Sequence, residues 1–467
     1  MGYRIREMDQ ERQFCEQVTV DVLERVIGLE GMLESIALHG VGEQRVRRLP
    51  ALLTLLVCIG MNLLTTSSLT FVLVRLVRGT RLLSGVSLEE LPSKAAITQA
   101  RYRLGAKPLE TLFKRVCRPI ASTDTPGAFA FGLRLMAMDG SIEEVADTPA
   151  NAAYFGRHWA DRGEAAFPQL QAVYLCECGT HAIIDAGFWP IHTSEHVGAH
   201  RLLRSIEPDM LLMLDRGLYS YDIVSKTHQK AAHVLCRLSS TLKPKCVQVL
   251  PDGSYLAYIY PSDHARRKTG EHLLVRIITY TIDDPQRPGH KQVHRLLTTL
   301  LDPHTFLIRD LIVLYHERWE VEITIDEIDT HQRLLDRPLR SLKPVGVIQE
   351  LYGLLLAHFV VRTIMHEAAL AHDLDPDGLS FIDSLRLICD AIPDFQLVDP
   401  TDHSRLWQRL LADIATRQLP PRDNRINPRV VKRKMSKFKK KRPKHLRPPK
   451  PQPFRHALVI LGHSHVA

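Results

Sequence analysis

The chain has 467 residues, 45% hydrophobic and 24% charged, a composition ordinary for a globular protein that excludes wholesale disorder or a fibrous repeat. Its formal charge of +9 is concentrated: residues 422–450 hold 14 Lys and Arg against the single Asp423, which leaves the rest of the chain slightly acidic. Eight scattered cysteines exclude a disulfide scaffold and suit a reducing, cytoplasmic setting.

In chain order, the opening MGYRIREMDQERQF lacks the apolar run of a secretory signal, and Arg6 stands where a myristoylation signal wants Ser or Thr. Residues 18–36 have the spacing of an amphipathic helix. The stretch 49–74 carries no charge over 26 residues, but Asn62 and the run Thr65, Thr66, Ser67, Ser68 leave an apolar part, 51–64, too short to span a bilayer. It reads as a buried helix. Ser93 is placed to cap a helix with Ala96, Ile97 and Ala100 inward and Arg101 and Arg103 on its polar face. Pro108 opens a second helix that aligns Leu109, Leu112, Phe113 and Val116. Joined at Gly105, the pair reads either as a DNA-reading helix-turn-helix or, more commonly for such pairs, as two helices simply packed together.

After a linker at 121–127 the texture changes. Residues 133–138 and 210–214 are unalternating apolar runs of strand length, each followed by an aspartate, Asp139 and Asp215. Residues 171–176 and 181–186 predict paired strands, and 255–260 and 273–280 predict further ones. Cys176, Cys178 and His181 lie close together, but their spacing makes no zinc motif. Helices are predicted at 303–335 and 345–366, the second a core helix because His358 and Arg362 interrupt its apolar run. From Arg422 the density of Pro, Lys and Arg predicts a basic tail, disordered until it meets a polyanion such as nucleic acid.

Asp139 and Asp215, at the ends of buried strands, stand where α/β folds place their ligands. On a helix, Tyr315 and Glu322 are seven residues apart, about 20° from alignment, with Arg318 between them on the same face. Carboxylates from two strands and a helix make an oxygen-rich site for a hard cation, Mg²⁺ or Mn²⁺. Two such ions about 4 Å apart suit in-line displacement at phosphorus. This inventory alone serves a nuclease, a phosphatase or a recombining enzyme equally.

The blocks around these residues are more specific. LRLMAMDGSIEEVADTPANAAYFGR (133–157), MLLMLDRGLYSYD (210–222) and Tyr315-x2-Arg318-Trp319-x2-Glu322 resemble, in order, the three signature blocks of IS4-like DDE transposases. The resemblance implies an α/β fold, an RNase H-like catalytic core with a β-rich insertion preceded by an all-helical N-terminal domain. It implies that Asp139, Asp215 and Glu322 are the catalytic, metal-binding triad, holding two Mg²⁺ or Mn²⁺ ions. It further implies DNA contacts from Arg216, Tyr315, Arg318 and Trp319. Arg101 and Arg103, with Lys432, Arg433, Lys439, Lys440 and Lys441 of the tail, are added on charge. The expected layout is a helical end-binding domain over 1–125, a catalytic domain over 126–370 with its insertion at about 225–300, a helical region over 371–421 and the tail over 422–467.

The expected activity is cut-and-paste transposition by a homodimer acting on terminal inverted repeats and target DNA, in a cytoplasmic, nucleoid-associated protein. The alternatives are an inactive transposase-derived DNA-binding protein and a nuclease without strand transfer. One departure from the family pattern favours the first alternative: Asp329 stands where the signature usually has Lys, seven residues after the glutamate. His331, Arg333 and Lys343 are the nearby bases that could replace it.

Overall fold

The computed structural model describes residues 21–42, 49–78, 91–160, 163–268, 270–287, 289–333, 337–420, 430–431, 439–440, 442 and 452–462. The described residues fall into two compact units that interleave along the chain. One draws on 1–128, 138–205 and 320–419, the other on 129–137, 206–319 and 420–467. The residues expected to form the catalytic region are divided between both units, and strand β1 (Leu133–Glu144) has residues in each.

In the first unit, the second half of β1 is followed in the sheet by β2 (Gln169–Glu177) and β3 (Ala182–Pro190), an antiparallel pair whose register shifts between Leu175 and Cys176. The predicted hairpin is therefore present. Around it stand helices, chief among them Pro344–Ala371. Its most apolar 18-residue window is 83% buried, so its hydropathy is spent on protein contacts, as His358 and Arg362 implied. It packs on Ala51–Leu63, in which only Leu52 of the thirteen residues is not fully buried, as expected of the uncharged stretch. Gly353 makes the approach close: a Cβ there would lie 2.4 Å from the Cys58 carbonyl oxygen.

One element at the front differs from expectation. The predicted 18–36 helix is broken into Asp21–Ile27 and Leu29–Leu38 at Gly28, whose φ of 76° is open to glycine and strained for other residues. Ser93 does cap Lys94–Leu104, its hydroxyl accepting from Ala96 N at 3.3 Å, and Lys107–Val116 follows. The Gly105 joint between them is filled by Gln349, whose amide donates to Arg101 O and Gly105 O at 2.6 Å each. Packing, the commoner reading of the pair, accounts for the joint.

In the second unit the opening residues of β1 begin a sheet continued by β4 (Met210–Leu214), β5 (His233–Arg237), β6 (Cys246–Val249), β7 (Tyr255–Ile259), β8 (Leu273–Ile282) and β9 (His294–Thr298), ordered β1-β4-β5-β9-β8-β7-β6. β4 and β5 are parallel, joined through the helix Tyr221–Gln229, and the pairs beyond them are antiparallel. The expected β-rich insertion thus extends the edge of one sheet. The tail is a correction: β10 (Leu458–Ile460) adds to β8 beside Tyr280, Thr281 and Ile282, and Phe454 stacks edge-on against His316, ring centroids 3.9 Å apart. Apolar residues beyond the basic tract give this end a core to join.

Candidate functional site

Asp139 does not end its strand. β1 continues to Glu144, and Asp139 sits half-buried in its middle, its Oδ1 accepting from Gly140 N at 2.9 Å. Farther along the same strand, Ser141 donates to Asp329 Oδ2 at 3.4 Å and Glu143 pairs with Arg333. Two strand residues, about 7 Å, thus match four helical ones, about 6 Å. Glu322, also half-buried, lies on the helix Trp319–Asp326 of this same unit.

The long helix expected over 303–335 is not continuous. It divides into Ile308–Glu317 and Trp319–Asp326, then widens into a π-helix, Glu327–Gln332, and neither Pro nor Gly marks the break at Arg318. Tyr315 and Glu322 therefore belong to two successive helices.

In the second unit, Asp215 directly follows β4, as predicted. Its Oδ1 accepts from Leu218 N at 2.8 Å. A Cβ on Gly217 would stand 3.2 and 3.3 Å from the two carboxylate oxygens, so the glycine keeps space open beside them. Arg216 is exposed. Tyr315, 8% exposed, donates its hydroxyl to Leu214 O at 3.2 Å, and burial pushes its phenol pKa well up, so the donor proton stays. The Arg318 guanidinium lies 6.0 Å from the Tyr315 ring centroid, and Trp319 is half exposed.

Other charged candidates fare differently. Arg101 is 6% exposed and donates to Ser341 Oγ and Gly346 O. It is a packing residue, which corrects its assignment to a DNA-facing surface: a buried cation needs fixed acceptors and these supply them. Arg103 is exposed and reaches Leu49 O at 3.2 Å. Lys439 and Lys440 form a short strand paired with Val430–Val431, and Lys440 is exposed. Lys432, Arg433 and Lys441 lie outside the described residues, as does the N-terminal stretch 1–20. Burial raises the Cys176 thiol pKa, and its Sγ lies 3.3 Å from Thr324 Oγ1.

Sequence reasoning missed two features. On the second unit a groove of about 570 Å³ is lined by Tyr219, Tyr258, Tyr260, Lys243, Lys245 and Arg266, with Arg266 lying over Tyr260. In the first, Glu327 is buried among His181, His358 and Arg362. The only signal for the second was the pair of polar residues in an otherwise apolar helix.

Two family models match the chain. Insertion element 4 transposase N-terminal covers residues 17–114, and Transposase DDE domain covers 130–360. The transposase InsG for insertion sequence element IS4 of Escherichia coli (strain K12) is 30% identical over 352 residues, 74% of this chain and 77% of that one. The chain belongs to the IS4 family of DDE transposases. A solved piggyBac transposase synaptic complex with hairpin DNA aligns over 84% of each chain at 12% identity and a TM-score of 0.44, too distant to carry weight. The transposase is thus a DNA-acting enzyme with an α/β catalytic domain behind a helical N-terminal region, and its family depends on divalent metal. Asp139, Asp215 and Glu322 are each half-buried, and carboxylate oxygen is the donor type that a hard cation takes.

The departure at Asp329 takes on a physical form. Asp329 is half-buried and bonded to Ser141 and to Arg333 at 3.2 Å, while Arg333 also pairs with Glu143. One guanidinium thus serves two carboxylates. Burial first, then the charge of Glu143, outweigh Arg333 and raise the Asp329 pKa to about 7. The other nearby bases are engaged: His331 lies 3.7 Å from Asp326, and Lys343 lies over the Tyr102 ring. A carboxyl whose folded pKa is raised costs no stability below its unfolded pKa, and loses stability as pH climbs toward and through the folded value. Asp329→Asn in the transposase is therefore expected to match the wild type near pH 4 and to be more stable by about 1–2 kcal/mol near pH 8. Urea midpoints at the two pH values check this, and an equal gap at both would refute it.

Proposed function

We propose that Asp139, Asp215 and Glu322 act together as the metal-binding catalytic triad of a cut-and-paste transposase. Supporting this most directly is the bond from Tyr315 to Leu214 O, which ties the third signature block to the strand end that carries Asp215. Two Mg²⁺ or Mn²⁺ ions, when bound, would supply activation of the attacking oxygen and offset charge at phosphorus. The carboxylates hold and space the ions. Arg216 and Arg318 hold the backbone phosphate beside the cleaved bond, with Tyr315 fixing the strand behind it and Trp319 offering a ring for stacking. A homodimer would bring two terminal inverted repeats together, and a released 3′-hydroxyl would attack target DNA. Association with the nucleoid follows from that substrate.

Duplexes carrying the DNA that flanks the coding region, incubated with the full-length protein and Mg²⁺, test the reading. Nicking at the element ends, followed by joining to a target plasmid, is expected. Cleavage without joining would indicate a nuclease, and binding without cleavage a silent DNA-binding protein.

The basic, aromatic groove of the second unit extends the DNA contact. Lys243, Lys245 and Arg266 offer phosphate partners, and Tyr219, Tyr258 and Tyr260 offer ring faces. Replacing Lys243 and Arg266 with Ala is expected to weaken binding to all sequences alike and to lower the salt slope by about 2. Fluorescence anisotropy across a salt series measures it, and an unchanged slope would remove the groove from the DNA path.

A further inference from the structure

Within the first unit, away from the three signature carboxylates, a second group of ligating side chains converges. His181, Glu320 and Asp377 each bring a ligand atom within 4.8 Å of the others. His181 ends the turn between β2 and β3 with a φ of 57°, a conformation that bulky residues adopt only when their surroundings hold them there. Glu320 opens the helix that carries Glu322, and its Oε2 accepts from Gly179 N at 2.5 Å. Asp377 sits on a short 3₁₀ turn, Pro376–Gly378.

On its Nε2 side the histidine faces Asp377. Its side chain is 4% exposed, and its Nε2 stands 3.0 Å from Asp377 Oδ1, yet neither atom makes a well-directed hydrogen bond. His358 Nδ1 and Arg362 Nη1, in the same buried region, are likewise unsatisfied. Buried polar atoms of this kind are rare unless an ion or water completes them. On the other side of the ring, Nδ1 faces Glu327 Oε1 at 3.2 Å and the Arg362 guanidinium. Burial and the Arg362 charge would lower the His181 pKa, but Asp377 and Glu327 outweigh them and raise it to about 9, so a cation at Nε2 would take the place of a proton.

We propose that His181 Nε2, Glu320 and Asp377 bind one structural divalent ion, of the borderline type that accepts nitrogen and oxygen together, with Zn²⁺ the best match. Asp377, 29% exposed, is the entry side. Bonds of about 2.0–2.2 Å require the ligand atoms to close up. The ion would pin the β2–β3 turn and the 3₁₀ turn to the start of the helix bearing Glu322.

The test uses the full-length chain carrying Asp139→Asn and Asp215→Asn, so that the signature carboxylates do not bind the added metal. After chelation, the protein is given Zn²⁺, desalted and measured for bound metal and melting temperature, with Co²⁺ absorption as a second probe. One ion per chain and a Tm rise of several degrees are expected, both lost in Asp377→Asn and in His181→Gln. Asp377→Asn, on a partly exposed turn, keeps the test decisive if His181→Gln does not fold. No retained ion, or retention unaffected by Asp377→Asn, overturns the proposal and leaves a plain His181–Asp377 ion pair.

Discussion

Asp215→Asn is expected to leave the fold intact and to cut cleavage of element ends by about a thousandfold or more. The change is nearly isosteric, and an Asn Oδ1 can still accept from Leu218 N, so the turn after β4 keeps its anchor. What disappears is one negative charge where cations must gather, along with an oxygen able to bridge them. Binding to DNA is expected to hold or tighten, because a carboxylate that repels phosphate has gone. Asp139→Asn and Glu322→Gln should behave alike, since each removes charge without volume. Cleavage time courses with Mg²⁺, beside melting curves and anisotropy on the same proteins, separate chemistry from folding and binding. Full cleavage by any of the three would remove that residue from the proposed triad.

The largest effect on stability is expected from Arg362→Met. Its guanidinium donates from Nε to Glu327 Oε2 at 2.9 Å and from Nη2 to Oε1, within the long buried helix. Burial alone would raise the Glu327 pKa, but Arg362, with help from His181 and His358, outweighs it and holds the carboxyl well below the usual range. Methionine fills much of the same volume while leaving a buried carboxylate without its main partner, a loss of about 3–5 kcal/mol. The sign of the pH dependence follows. A depressed carboxyl pKa contributes stability that is present above the unfolded value and is lost as pH falls through the folded one. The gap between wild type and variant should therefore be full near neutrality and narrow below about pH 4. Denaturation midpoints across that range measure it, and a gap independent of pH would mean that packing, not the ion pair, was lost.

Much of the architecture follows from local pattern. The uncharged 51–64 stretch predicted a buried helix, Ser93 and Pro108 marked two helix starts, and the apolar runs before Asp139 and Asp215 predicted central strands. These features rest on residues adjacent or a turn apart, so periodicity and capping carry them. The misplaced boundaries have local causes too. Gly28 was passed over as a helix break, and β1 runs past Asp139 because its later residues, Ser141 to Glu144, pair despite their polarity. The break at Arg318 has no breaker residue to announce it.

Sequence alone determined the family, the order of the signature carboxylates and the seat of the positive charge, because each is written in short contiguous blocks. Only the tertiary structure decided that Arg101 is a packing residue, that Asp329 shares Arg333 with Glu143, and that His181 meets Glu320, Glu327 and Asp377. Most of these partners lie more than a hundred residues apart, and no local period encodes a contact across that distance. Burial then sets their charge and protonation, through desolvation that depends on everything packed around them.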